Sequence, residues 1–83
     1  MITIYGKENC PWCVKAKELA EQYRLNYKYI DLETPGARDF LKNAVPEAKT
    51  VPQIWWYRNH LGGYNELATM VEQTIGGYGE GET

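Results

Sequence analysis

The chain's two cysteines, Cys10 and Cys13, stand two residues apart. A disulfide that strengthens a small domain gains most by closing a long loop, and this pair would close almost nothing. A zinc centre ordinarily takes four Cys or His ligands; here the pair has only His60 beside it, so a second copy of the chain would have to complete the site. The third use of this spacing, ahead of a βαβ pattern, is a dithiol that forms and breaks its bond reversibly, and it is the leading reading. Thiol–disulfide exchange runs through the thiolate, so this chemistry needs a local feature that favours charge on one of the two sulfurs.

The residues around the pair provide such a feature. Pro11 suits the first position of a helix, where its missing N–H is not needed, and Asn9 or Cys10 can cap it. Cys13, Ala16, Ala20 and Tyr23 then recur at steps of three and four, with Leu19 beside them and Lys15, Lys17, Glu18 and Glu21 between. This predicts an amphipathic helix from Pro11 to about Tyr23. Cys10 would face the unpaired N–H groups and the positive end of that helix, with the Cys13 N–H aimed at its sulfur. Lys7, three residues earlier, adds a positive charge. Cys10 is therefore expected to be the nucleophile. Cys13, one turn into the helix and more buried, is the expected resolving thiol, a place that also suits a small core residue. Trp12 on the first turn can be one wall of a substrate groove, whereas Tyr5 reads as core.

The rest of the chain reads as a scaffold for that helix start. Ile2 to Tyr5, ending at Gly6, predicts a buried strand, and Asn26 to Asp31, with Tyr27 and Tyr29 on one face, predicts a second. Thr34 and Pro35 announce a helix carrying Ala37, Phe40, Leu41 and Ala44. Gln53 to Tyr57 reads as a third strand, Arg58 and Asn59 as a turn, and a short fourth strand ends at Gly62. A last helix runs from about Asn65 to Ile75 on Leu67, Met70, Val71 and Ile75. The order βαβαββα is α/β: a four-stranded mixed sheet with three helices, the first two strands parallel neighbours joined by a right-handed crossover. Ligands in open α/β sheets gather beyond the carboxyl ends of parallel strands, and the segment from Gly6 to Cys10 lies there. Residues 1–75 read as one domain and 76–83, half of them glycine, as a frayed tail.

Composition narrows the function classes. Nine Lys plus Arg against eleven Asp plus Glu give a net charge of −2, which offers no general basic surface for nucleic acid or an anionic membrane. The chain contains no run approaching the roughly 20 apolar residues of a membrane span. Two further segments deserve weight. Thr50-Val51-Pro52 precedes the third strand, where a proline is acceptable on backbone grounds; were the bond before Pro52 cis, the backbone of Val51 would be free to pair with an extended peptide. Gly62-Gly63 can be a tight turn, or it can aim the first N–H groups of the last helix, at Tyr64, Asn65 and Glu66, toward the cysteines as a carboxylate receptor.

Cys10-Pro11-Trp12-Cys13, Thr50-Val51-Pro52 and Gly62-Gly63-Tyr64-Asn65-Glu66-Leu67, with Lys7 three residues ahead of Cys10, together resemble the glutaredoxin family, and in particular its small dithiol members of bacterial and phage type. The resemblance covers residues 1–75. It implies a thioredoxin-like fold, a cis Pro52, and glutathione as the reducing co-substrate with no tightly bound cofactor and no metal. It further implies that the Cys10 thiolate attacks a protein disulfide or a glutathione mixed disulfide, and that Cys13 or a second glutathione resolves the intermediate. Glutathione would lie along Val51, with its glycyl carboxylate near Lys7 and its γ-glutamyl carboxylate at the N–H groups of Tyr64 and Asn65. Thr50 and Pro52 would shape the floor and Trp12 a wall.

The implied partners are disulfide-bearing or glutathionylated proteins, ribonucleotide reductase among them, met by a monomer in the cytoplasm. Two positions depart from the family pattern: Trp12 replaces the more frequent Tyr, and Asn65-Glu66 stands where an acidic residue commonly faces the γ-glutamyl amine. Three other readings compete. A redoxin served by a flavin-dependent thioredoxin reductase is opposed by Lys7 and Gly62-Gly63-Tyr64. An iron–sulfur carrier, with two copies sharing a cluster through Cys10 and glutathione, is opposed by Pro11. An adaptor would use Trp55, Trp56 and Tyr57.

Overall fold

The run Ile2, Thr3, Ile4, Tyr5 is β-branched and aromatic throughout, and in the computed structural model, which describes residues 1–73, it forms one of the two inner strands of a four-stranded sheet. The elements are β1 (Ile2–Gly6), α1 (Pro11–Gln22), β2 (Tyr27–Asp31), α2 (Ala37–Ala44), β3 (Gln53–Trp56), β4 (Asn59–Gly62) and α3 (Tyr64–Val71). The sheet order is β2-β1-β3-β4. β1 and β2 are parallel, in register from Ile2 opposite Tyr27 to Gly6 opposite Asp31. β1 runs antiparallel to β3, with Ile4 opposite Ile54, and β3 runs antiparallel to β4. The α/β architecture with a mixed sheet and three helices is thus as the sequence predicts.

Alternation along the strands sorts the side chains onto two faces. On one face Ile2, Ile4 and Ile54 meet Ala16 of α1 and Leu67 and Val71 of α3 in a buried core. The other face is aromatic. Tyr5 stacks on Phe40 of α2 at 5.4 Å between ring centroids and meets Trp55 edge-on at 5.4 Å. Phe40, 47% exposed, covers these rings without being enclosed. Of the three consecutive aromatics, Trp56 packs against the core, Trp55 belongs to the opposite face, and Tyr57 is 68% exposed.

Several boundaries differ from the sequence reading, among them the start of β2 at Tyr27 instead of Asn26. The hairpin turns at Tyr57 and Arg58 instead of Arg58 and Asn59, because Tyr57 adopts a left-handed backbone (φ 58°) and Asn59 already pairs with Trp56. Helix α2 begins at Ala37, after Gly36 takes the left-handed conformation at φ 87° that glycine adopts without steric cost. Helix α3 begins one residue early, at Tyr64, and is described to Val71. Ile75 and the glycine-rich residues 76–83 lie outside the described residues.

Leu67 has no exposed surface and bridges α3 to the sheet. Leu67→Ala is expected to lower unfolding stability by about 3 kcal/mol, read as a shift of the urea midpoint at constant slope; a loss below about 1 kcal/mol would show that this contact does not hold α3 in place.

Candidate active site

β1 delivers the chain to α1 through a tight turn in which Asn9 is left-handed (φ 61°). Cys10 follows in extended conformation and is the N-cap of α1, so the alternative that Asn9 caps the helix is settled against. A helix start leaves N–H groups without backbone partners, and oxygen-bearing side chains usually satisfy them. Here sulfur does so: the Cys13 N–H donates to Cys10 Sγ at 3.3 Å while also reaching the Cys10 carbonyl at 3.1 Å. The first turn of α1 carries no acidic residue to compete for that positive end. Both cysteines are free thiols.

Burial separates them less sharply than expected, since Cys10 is 7% exposed and Cys13 fully enclosed. Ionisation separates Cys13 clearly from an ordinary thiol. Burial, followed by its hydrogen bond to the Cys10 sulfur, pushes the Cys13 thiol up to about 11, against a smaller opposing pull from the Lys7 backbone and the Tyr29 hydroxyl. Cys13 is therefore held as a neutral thiol at neutral pH.

Beside this helix start runs a groove of about 920 Å³, within the size range of small-ligand sites. Trp12, Thr50, Val51, Pro52, Tyr64 and Asn65, six of the residues singled out by sequence, line it. The Val51–Pro52 bond is cis. Cys10 does not itself line the groove but meets its floor, with Sγ 3.9 Å from the Val51 carbonyl. Trp12 and Tyr64 face each other with ring centroids 5.4 Å apart, tilted by 46°.

Gly62, at φ 128°, makes the turn into α3 with a backbone that side chains rarely tolerate. Gly63 lies beside the proline loop, where a Cβ would be in ordinary contact with the Pro52 carbonyl at 3.5 Å. The turn at Gly62 thus brings the first turn of α3, with the N–H groups of Tyr64 and Asn65, against the groove.

Lys7 lies apart from these residues. It lines an adjoining cleft of about 590 Å³ with Arg38, Lys42 and Lys49, and the two hollows share a wall made by Val45, Pro46, Ala48, Thr50, Val51 and Gln53. Arg38 is engaged with Glu33 at 3.0 Å, an exposed pair.

Two supporting residues, Gln53 and Tyr29, escaped the sequence reading as site residues, and the capping role of the Glu66 carboxylate escaped it too. Gln53, nearly buried, donates through Nε2 to the Thr50 carbonyl at 2.8 Å and pairs with His60 Nε2 at 2.7 Å, which fixes the loop before Pro52; a polar residue opening an otherwise apolar strand was the available signal. Glu66 accepts the Gly63 N–H at 2.8 Å, and a Glu at the third helical position is the recognised mark of such a cap. Tyr29, read only as a strand residue, places its hydroxyl 3.4 Å from the Lys7 carbonyl. Among the described residues no cluster of three or more His, Cys, Asp or Glu could hold a metal ion.

The glutaredoxin family model matches residues 2–61, most of the chain. The chain belongs to the glutaredoxin family. Glutaredoxin 1 of Escherichia coli is 35% identical over 79 residues, covering 87% of this chain and 93% of that protein. The solution structure of reduced E. coli glutaredoxin superposes with a TM-score of 0.75 at 34% identity, over 89% of this chain and 95% of the other. A buckwheat glutaredoxin crystallised as a glutathione complex has the same fold, at a TM-score of 0.75, with 20% identity and coverage of 90% and 71%. The thioredoxin-like fold and a glutaredoxin's oxidoreductase activity follow for this chain.

The raised Cys13 thiol has a thermodynamic consequence. An unfolded chain ionises this thiol near its ordinary value of 9.0, the folded one near 11, so stability on this account is fully present below pH 9 and is lost as pH rises toward 11. Chemical denaturation of the reduced protein is expected to show this decline beginning near pH 9, with the raised tyrosines Tyr5, Tyr27 and Tyr29 adding to it from about pH 10. Cys13→Ala is expected to remove that part of the slope; an unchanged slope would contradict the assignment.

Proposed function

We propose that this glutaredoxin reduces protein disulfides and glutathione mixed disulfides by a dithiol reaction, with glutathione as its electron donor. The observation that carries the reading is the Cys13 N–H donated to Cys10 Sγ at the start of α1, beside a groove large enough for a tripeptide. In this reading the helix start favours a charged Cys10 sulfur. That thiolate attacks the sulfur of a substrate disulfide, a mixed disulfide forms on Cys10, and one thiolate leaves. The Cys13 thiolate then attacks Cys10 Sγ, closing the Cys10–Cys13 bond as the substrate-side sulfur leaves as a thiolate, or a second glutathione attacks the mixed disulfide and releases Cys10.

Glutathione fits the groove as an added extended segment along Val51. Its γ-glutamyl carboxylate would meet the first-turn N–H groups of α3 at Tyr64 and Asn65, with Thr50 and Pro52 below it and Trp12 beside it. Lys7, in the adjoining cleft, would take the glycyl carboxylate. Glu66 already occupies part of that helix start through Gly63, which would place a negative charge near the γ-glutamyl ammonium. The substrates this reading supports are glutathionylated and disulfide-bearing proteins, with ribonucleotide reductase a candidate, met by a monomer in a reducing compartment such as the cytoplasm.

A coupled assay distinguishes the donors. Turnover is expected with glutathione, glutathione reductase and NADPH, and negligible turnover with thioredoxin reductase; the reverse pattern would overturn the reading. Cys10→Ser is expected to abolish activity, whereas Cys13→Ser is expected to keep reduction of glutathione mixed disulfides. Lys7→Ala is expected to raise KM for a glutathionylated peptide about tenfold, the scale of one charge-assisted hydrogen bond, with kcat little changed. An unchanged KM would remove Lys7 from the glutathione site.

A further inference from the structure

Resolution makes a demand that the surroundings of Cys13 oppose. Its sulfur must carry charge as it attacks the mixed disulfide, yet it is fully enclosed and burial favours the neutral thiol. A buried thiolate needs a hydrogen-bond donor near it.

The Lys7 backbone is one such donor, and Gly6 shows where a second is. A Cβ built on Gly6 would stand 2.7 Å from Cys13 Sγ and 2.4 Å from the Tyr29 hydroxyl oxygen, so the two polar atoms share the space that the missing side chain leaves open. The hydroxyl arrives there from the neighbouring parallel strand, where Tyr29 is opposite Ile4. Two contacts fix the ring: the hydroxyl donates to the Lys7 carbonyl at 3.4 Å, and Lys17 Nζ of α1 stands 4.6 Å from the ring centroid. Burial, and then the charge of a Cys13 thiolate, hold the Tyr29 phenol well above its usual range. It thus stays protonated wherever the enzyme works, as a donor and never as a base.

We infer that Tyr29 is a positioning residue for the resolving step, its hydroxyl turning from the Lys7 carbonyl to donate to Cys13 Sγ as that sulfur becomes a thiolate. The inference rests on the dithiol reaction proposed above. In the step concerned, the Cys13 S–H loses its proton to solvent, its sulfur forms a bond to Cys10 Sγ, the bond from Cys10 to the substrate sulfur breaks, and the substrate leaves as a thiolate that takes up a proton. No other reactant enters. A donor on Cys13 speeds this closure without touching the earlier attack by Cys10, so Tyr29 decides whether Cys13 or a second glutathione resolves the intermediate. It also explains why Gly6 must lack a side chain at the end of β1.

The test is a rapid-quench experiment with a glutathionylated peptide, in which mass spectrometry follows first the mixed disulfide on Cys10 and then the Cys10–Cys13 disulfide. Tyr29→Phe keeps the ring and removes only the hydroxyl. It is expected to leave capture by Cys10 unchanged, to slow closure about tenfold, as befits a lost hydrogen bond to a charged group, and to move the pH profile of closure upward. In a Cys13→Ser background, Tyr29→Phe is expected to have no effect on capture. Closure as fast in Tyr29→Phe as in the parent would overturn the inference, as would an equal slowing of capture in the Cys13→Ser background, which would mean a general structural role. If Cys13→Ser forms no mixed disulfide at Cys10 at all, the failure belongs to the proposed function and not to Tyr29.

Discussion

A single hydrogen bond, from the Cys13 N–H to Cys10 Sγ at 3.3 Å, organises the site. It exists because a helix must begin with N–H groups that no backbone carbonyl can reach, and because Cys10, at the position where an oxygen side chain would ordinarily cap the helix, offers sulfur instead. The same contact ties the two thiols into unequal roles. Cys10 lies at the positive end of α1, and Cys13 lies one turn inside, enclosed and held neutral. Pro11 secures the geometry by starting the helix immediately after the cap, and the left-handed Asn9 turns the chain out of β1 into it. Reactivity here is a property of backbone direction more than of neighbouring charged side chains.

The remaining elements bring other backbone groups to that sulfur. The parallel pairing of β1 with β2 sets the carboxyl end of β1 beside Tyr29, and the antiparallel pairing of β1 with β3 sets the cis Val51–Pro52 segment on its other side. Gln53 holds the loop before Pro52 from within the sheet. Gly62, through its left-handed backbone, turns the chain into α3, whose first residues line the groove with the proline loop and Trp12 of α1. Lys7 lines a second, more basic cleft that adjoins the groove along Thr50 and Val51.

Much of this was legible in the sequence because it depends on local rules. The cysteine spacing, Pro11 as a helix starter, the period of Cys13, Ala16 and Ala20, and the turn glycines each act over a few residues. The element order therefore came through, and boundaries shifted by a residue or two, at the hairpin because Tyr57 took an uncommon backbone conformation. Features that depend on tertiary approach were not legible. Nothing in Tyr29's neighbours in the chain shows that its hydroxyl ends above Gly6, nor does Gln53 announce that it will bind Thr50 and His60 together. Cys10 proved more enclosed than its role suggested, since the burial of a loop sulfur is decided by groups remote in the chain, such as Val51.

The account makes Cys10 the reactive sulfur because of where it sits on α1. Limited alkylation of the reduced protein at pH 7 with iodoacetamide, followed by mapping of the label, tests this most directly. The expected result is carbamidomethylation of Cys10 well before Cys13, at a rate above that of free cysteine. Label appearing first on Cys13, or a Cys10 rate no higher than that of the free amino acid, would contradict it.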